Sequence, residues 1–306
     1  MPRLPSSASP LAQRALVLCV CALVFAGCRS SVNGVIPGTN FVDFDSPKRI
    51  AEYLDPDDGA GPLLSAHRGG YESGFPENSL EAMQKALTYA PALLEVDVQM
   101  TADSVLVLLH DRTLDRTTTV EGELADYRYA DLAQVLLVDL DGWPTRYRIP
   151  RFEDVLLWAE GKAVLTLDIK RVPPQMIVDA IRATEAEDQV VVIVYDVETF
   201  EAYQAIAPDL VYSITVNSDK DLDAYLATGI DLSRTVAFTG VGQPKADLIA
   251  RLTALDIRSM VGTFGDIDDE ALSDGPEVYQ RIFATGAGVI ATNNVASAAR
   301  ALPKSP

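Results

Sequence analysis

Eight short apolar runs, each followed by a segment of helical periodicity, recur along this 306-residue chain and restrict what it can fold into. The runs lie at 63–66, 93–98, 163–169, 190–195, 210–216, 235–238, 258–263 and 288–291. The helical patterns lie at 78–89, 152–159, 174–185, 197–207, 219–227, 244–255, 276–285 and 295–302. Side chains two apart share a strand face and those three or four apart share a helix face, which separates the two kinds of segment. A strand then a helix, repeated about eight times over about 240 residues, is the pattern of an α/β (β/α)8 TIM barrel. A doubly wound open sheet is the alternative. No glycine-rich phosphate fingerprint follows the first run, which counts against nucleotide binding.

One stretch departs from the alternation. Residues 93–111 read LLEVDVQMTADSVLVLLHD, two apolar runs separated by a short polar turn. A parallel crossover needs about a dozen residues, so these runs are expected to pair as an antiparallel hairpin, an extension after the second barrel strand. Glu95 and Asp97, two apart, project from one face, with Glu95 expected roughly opposite His110. A buried acid can be a paired structural charge, and an Asp after a His can be a cap or turn residue. Against that, the chain holds only two histidines, His67 and His110, and both close an apolar run.

The first residues are of another kind. Arg3 and Arg14 precede an apolar run at 15–26 too short to span a bilayer, and Gly27-Cys28 follows. The stretch 24–28 resembles the lipobox of bacterial lipoproteins, with Phe25 where leucine is usual, which implies a leader at 1–27 and acylation of Cys28. The product would be exported and anchored by lipid to the cell envelope. Residues 28–61, rich in Ser, Gly, Asn, Pro and Asp with one short helix at 47–53, read as a tether, and 62–303 as the barrel domain. All three cysteines lie at or before residue 28, so no disulfide framework is available. The formal charge is −19, and losing the leader would remove two arginines and no acid. Such a surface repels nucleic acid.

In a barrel, chemistry collects at the carboxyl ends of the strands. There the first strand delivers His67 and Arg68, the second Glu95 and Asp97, its hairpin mate His110, and the next barrel strand Asp168 and Lys170. Three oxygen donors without cysteine suit a hard divalent ion, Ca2+ or Mg2+. Arg68 and Lys170 match a phosphoryl group whose negative charge grows in the transition state. The histidines are then free to serve as general base and acid. A glycosidase would need the carboxylate pair without the cations.

The runs SAHRGGYESGFPENSLEAM, LLEVDVQMTADSVLVLLHDRTLDRTT and LTLDIK resemble, in order and spacing, the glycerophosphodiester phosphodiesterase family. The resemblance spans about residues 64–170. It implies a barrel, a divalent metal held by Glu95, Asp97 and Asp168, His67 and His110 as acid and base, and phosphate contacts from Arg68 and Lys170. It also implies release of an alcohol and sn-glycerol 3-phosphate. Asp168 stands where the family often has Glu, and Asn293, after the last run, where it usually has Asp. Related readings are a lysophospholipase D or sphingomyelinase D-like enzyme acting on intact lipid, and a binding lipoprotein without turnover.

Two local expectations complete the reading. Asn78 and Glu81 have capping-box spacing, which places Asn78 at the start of the first barrel helix and leaves Glu77 in the loop beside the site. Residues 112–150, with several arginines, tyrosines and Trp143, read as a lid or substrate wall, or else as a surface loop with a short helix at 131–136.

Overall fold

A computed structural model describes residues 39–56 and 61–303; the leader, Cys28 and residues 29–38 and 57–60 of the tether lie outside the described residues. The strands are β1 (Leu63–Ala66), β2 (Ala92–Met100), β3 (Leu106–Leu108), β4 (Leu136–Val138), β5 (Pro144–Arg148), β6 (Leu165–Ile169), β7 (Val190–Val194), β8 (Val211–Thr215), β9 (Thr235–Val241), β10 (Arg258–Gly262) and β11 (Val289–Thr292). β1 pairs in parallel with both β11 and β2, and β2 with β6, so β1, β2 and β6 to β11 close an eight-stranded parallel barrel. β3 lies antiparallel on the outer part of β2, the expected hairpin. The helices are α1 (Pro47–Tyr53), α2 (Leu80–Ala86), α3 (Tyr129–Leu132), α4 (Phe152–Ala159), α5 (Pro174–Ala183), α6 (Val197–Ile206), α7 (Asp219–Ala227), α8 (Ala246–Thr253), α9 (Asp266–Asp274), α10 (Glu277–Phe283) and α11 (Val295–Ala298).

The period-2 rule sorts the barrel residues. Leu63, Leu93, Val191, Val211, Val236, Met260 and Val289 of the barrel strands, with Val164 just before β6, belong to one buried cluster, together with Val42, Ile50, Tyr53 and Leu54. The alternate residues, such as Leu64, Leu94, Leu165, Val192 and Ile290, pack outward on Met83, Ile177, Phe200, Leu248 and other helix residues. Ile50 and Tyr53 belong to α1, so part of the segment assigned to the tether instead plugs the amino end of the barrel. Arg258, buried at the start of β10, fixes that plug. Its Nε donates to Leu54 O at 2.9 Å and its Nη2 to Asp55 O at 2.5 Å, satisfying carbonyls just past the end of α1.

Residues 112–150 are ordered around a core of their own. Leu114, Leu124, Leu132, Val135 and Leu137 pack with Val107 and Leu109 of the hairpin, and β4 and β5 pair antiparallel. The short helix expected at 131–136 lies earlier, at α3, because Leu136 is taken into β4. The β4–β5 turn leans on the loop after β1, where Gly74 N donates to Asp139 Oδ2 at 2.9 Å and Ser73 Oγ bonds to Asp141. α9 was absent from the sequence reading. Asp266, Asp268 and Asp269 crowd its first turn, and Asp268 itself is buried on the inner face, which spoils the apolar periodicity. Among the described residues no helix is long and apolar enough to cross a membrane.

Candidate active site

β2 supplies the centre of the site. Glu95 and Asp97 face inward, and Asp97 stands directly across from Asp168 in the β2–β6 register. All three are buried, and one oxygen from each lies within 4.8 Å of the others. Lys170, two residues after Asp168 and so on the same face, places Nζ 2.8 Å from Asp97 Oδ1 and 2.5 Å from Asp168 Oδ2. Burial, followed by repulsion from Asp97 and Asp168, raises the Glu95 carboxyl well above the usual carboxylate range. Burial pulls Lys170 down, but the same two aspartates outweigh it and hold the ammonium above its ordinary value. Asp168 Oδ1 is buried with no hydrogen-bond partner, and Asp97 Oδ1 meets Lys170 without hydrogen-bond alignment.

β1 ends in a tight turn that carries His67 and Arg68. Arg68 has φ 49°, a left-handed conformation costly for a residue with a Cβ, and so places its N–H 2.6 Å from Glu95 Oε2. The next turn is kept close to α2 by Gly70 (φ 76°), where a Cβ would come within 2.8 Å of Ala86 Cβ. The Arg68 Nη1 bonds Glu77 at 3.1 Å, while its buried Nε has no hydrogen-bond partner and lies 4.0 Å from Asp97 Oδ2. His67 Nε2 sits 3.9 Å from Glu95 Oε2, its Nδ1 is 2.6 Å from Asn293 Oδ1, and its ring stacks on Phe264 at 4.3 Å between centroids. An amide oxygen only accepts, so with the amide in this orientation His67 is the Nδ1–H tautomer and its Nε2 carries the lone pair. Burial lowers the His67 pKa, and the nearby charges of Arg68 and His110 add to this. The Asn293 bond and Asp97 oppose it.

His110 follows β3. The ladder pairs Val98 with Leu108, and Leu109 N donates to Asp97 O at 3.0 Å, so Leu109 stands across from Asp97 and His110 lies past the end of the ladder. The rough juxtaposition of Glu95 and His110 therefore holds to within one residue, since the register set by the turn at 101–105 carries Glu95 to the level of Asp111. His110 is held instead by its turn. Gln99, two beyond Asp97, donates from Nε2 to the carbonyls of Leu109 (2.9 Å), His110 (3.0 Å) and Asp111 (2.5 Å). Asp111 Oδ1 then meets His110 Nδ1 at 2.7 Å, and Asp111 Oδ2 meets Arg116 Nε at 2.6 Å. The Arg116 bond is the main reason the Asp111 carboxyl falls to about 2. Arg116 also grips Glu77 with both terminal nitrogens at 2.8 Å, which links the His110 turn to Arg68.

Several site residues escaped the sequence reading. Ser79, not Asn78, caps α2, its hydroxyl accepting from Ala82 N at 3.1 Å. Asn78, with φ 57°, is turned the other way and brackets Asp97: Nδ2 donates to Asp97 Oδ2 at 2.7 Å and Oδ1 accepts from Asp97 N at 2.9 Å. Gln99 was open to the same parity rule that exposed Glu95 and Asp97. Tyr195, just past the end of β7, is exposed as a residue, but desolvation of its phenol and then the charge of Asp168 raise its pKa, which places the phenol beside that carboxylate.

A parallel barrel with an acid triad, paired cations and two imidazoles at its carboxyl mouth defines a phosphoester-hydrolysing enzyme. The model of the glycerophosphoryl diester phosphodiesterase family matches residues 67–280. A solved glycerophosphoryl diester phosphodiesterase from Parabacteroides distasonis superposes with a TM-score of 0.82 at 31% identity, over 88% of this chain and 96% of that one. A glycerophosphodiester phosphodiesterase of Bacillus altitudinis is 28% identical over 178 residues, 54% of this chain and 71% of the relative. A phosphodiesterase from Oleispira antarctica, solved with the product sn-glycerol-3-phosphate, shares the fold with a TM-score of 0.62 at 17% identity, over 79% of this chain and 96% of that one. The chain belongs to the glycerophosphoryl diester phosphodiesterase family, and it is a phosphodiester hydrolase of that kind.

Proposed function

We propose that this site hydrolyses glycerophosphodiesters to an alcohol and sn-glycerol 3-phosphate, with His67 as base, His110 as acid, and one divalent cation, Ca2+ or Mg2+, held by Glu95, Asp97 and Asp168. The observation that carries it is the convergence of three buried carboxylates within 4.8 Å with His67 Nε2 beside Glu95. The metal fits the residues present. The donors are all oxygen, Asp168 Oδ1 is buried and unpaired, and crowding strains the ionised form of Glu95. When bound, the ion supplies Lewis-acid withdrawal of charge from the phosphoryl oxygens.

The protein's own groups account for the rest. Arg68 Nε, unpaired beside the triad, and Lys170 Nζ are the donors available to the phosphoryl oxygens. His67 Nε2 takes the proton of the glycerol hydroxyl next to the phosphate, and that oxygen attacks phosphorus. The alcohol departs with a proton from His110, whose Nε2 is left for transfer once Asp111 engages Nδ1. Water then opens the cyclic phosphodiester with the two imidazoles in exchanged roles, which restores both protonation states. The product-bound Oleispira relative supports glycerol phosphate as the moiety recognised. The lipobox-like stretch ending in Cys28 supports a lipid-anchored enzyme working at the envelope surface.

The test is product identification from glycerophosphocholine, glycerophosphoethanolamine and lysolipids, with and without chelator. Free choline or ethanolamine with glycerol 3-phosphate, abolished by chelator, is expected. Lysophosphatidic acid from a lysolipid would replace the proposal with a lysophospholipase D activity, and no turnover of any substrate would leave a binding protein. His67→Ala and His110→Ala should each lower kcat by about 10²- to 10⁴-fold.

A further inference from the structure

Asp268, in the first turn of α9, is 4% exposed and has no part in the chemistry above. Its Oδ1 accepts from Thr263 Oγ1 at 2.7 Å, Thr292 Oγ1 at 2.8 Å and Tyr279 OH at 3.0 Å, and its Oδ2 from the Asn293 N–H at 2.8 Å. No ion pair involves it among the described residues. A buried carboxylate is costly unless its lone pairs are filled, and here four neutral donors fill them.

Where those donors sit decides the role. Thr263 immediately precedes Phe264, whose ring stacks on His67. Thr292 immediately precedes Asn293, whose Oδ1 meets His67 Nδ1. Asp268 therefore ties together the ends of β10 and β11, the two segments that present to His67 its stacking face and its hydrogen-bond acceptor. Asn294 N donates to Thr292 Oγ1 at 2.9 Å, so the hydroxyl that reaches Asp268 also fixes the chain on the far side of Asn293. A purely local role as a first-turn acid would call only for contacts with the N–H groups of its own helix. None of the four bonds is of that kind.

We propose that Asp268 is a positioning residue of the reaction, acting through Asn293 and Phe264 to hold His67 in one ring plane and in the Nδ1–H tautomer. This rests on the reading of His67 as the base. Misplacing a proton-transfer group by a fraction of an ångström is costly in rate but leaves the phosphate and glycerol contacts in place.

The experiment uses the full chain with Asp268→Leu, which matches the aspartate in shape and removes every acceptor, and the milder Thr292→Val. Asp268→Leu should lower kcat about 10- to 100-fold with KM within about threefold, the range typical of lost supporting bonds at a site. Asn293→Ala should do the same, and the double variant should be no more than about twofold slower than the worse single, because both act on one imidazole. Ring nitrogen NMR reads the tautomer directly. The chain has two histidines, assigned by comparison with His110→Ala, and His67 should change from one tautomer to a mixture in Asp268→Leu and, to a smaller degree, in Thr292→Val. Full kcat in a folded Asp268→Leu, multiplicative losses in the double variant, or an unchanged tautomer would each overturn the proposal. If Asp268→Leu does not fold, an unchanged tautomer and kcat in Thr292→Val overturn it. Full kcat in His67→Ala would instead remove the base assignment, and the NMR outcome would still decide whether Asp268 positions the ring.

Discussion

Gln99 is the most economical place to test whether the site depends on its supports. Its amide has two N–H groups and serves three successive carbonyls, those of Leu109, His110 and Asp111. Gln99→Met keeps the length and apolar volume of the side chain and removes both donors. A neutral hydrogen bond contributes about 1 kcal/mol net, and a buried acceptor left unpaired costs about 1–3 kcal/mol. Only Leu109 is itself buried, at 2% exposure, whereas His110 and Asp111 are half-buried, so the expected loss is about 2–3 kcal/mol rather than three full penalties. For a domain of this size that corresponds to a Tm lower by roughly 5–10 °C. The catalytic effect should be larger than the stability effect suggests, because the three carbonyls bracket His110. A displacement of about 1 Å costs on the order of 100-fold, so kcat should fall about 10- to 100-fold with KM little changed. Gln99→Glu should be worse than Met at neutral pH, because it sets carboxylate oxygens against three carbonyl oxygens. Thermal melts together with steady-state kinetics on one substrate measure all of this. A Met variant with kcat within twofold of the parent, or a Glu variant as active as the parent, would refute the reasoning.

Asp168→Asn should abolish both turnover and metal-induced stabilisation, which for a bound ion amounts to about 2.7 kcal/mol at a hundredfold excess over Kd. Calorimetric titration of Ca2+ and Mg2+ checks this, and equal affinity in both proteins would leave Asp168 as no more than the mate of Lys170. The Asp111 carboxyl, held at about 2 by Arg116, contributes stability that is fully present above its ordinary value of 3.8 and is lost as pH falls through about 2. In Arg116→Ala that carboxyl should return toward its ordinary value, so the acid-unfolding midpoint followed by circular dichroism should move to higher pH; an unmoved midpoint would contradict the coupling. Cys28 should carry acyl chains at the mature amino terminus, and Cys28→Ser should release the protein from the membrane; a mass spectrum showing an unmodified terminus elsewhere rejects the anchor.

The carboxylate cluster of the candidate site was legible because it lies on strands. Glu95 and Asp97 share a face by period 2, Asp168 and Lys170 do likewise, and a closed parallel barrel brings the ends of β1, β2 and β6 side by side whatever the loops do. The helix α1 was legible at 47–53, but its role as a plug was not. Its large apolar residues are only Ile50 and Tyr53, followed by Leu54, within a Pro- and Asp-rich stretch, and it acquires a partner only when the barrel leaves its amino end open for it. Asn78 misled for a related reason. Asn and Ser are both good caps, and the choice between adjacent candidates was made by the positive φ that turns Asn78 toward Asp97 and leaves Ser79 to α2.

The residues that hold the chemistry in place follow a different rule, and it explains why Asp268 could not be found from the chain alone. Two of these supports join segments distant in sequence, Arg116 reaching back to Glu77 and Asp268 joining the end of β10 to the end of β11, while Gln99 reaches across its own hairpin to the His110 turn. Periodicity cannot report such meetings, since it records only which face a residue occupies. A buried acid on an otherwise weakly patterned helix lowers the apparent helical signal, so the side chain that steadies His67 also concealed the helix that carries it. The Asn at 293 sharpens the point. Where a carboxylate would both orient the imidazole and favour its charged form, the amide oxygen orients His67 without adding charge, which suits a group that begins the reaction as a base. The negative charge next to that amide belongs to Asp268, one step further from the ring, where it acts on the backbone of Asn293 instead of on the imidazole.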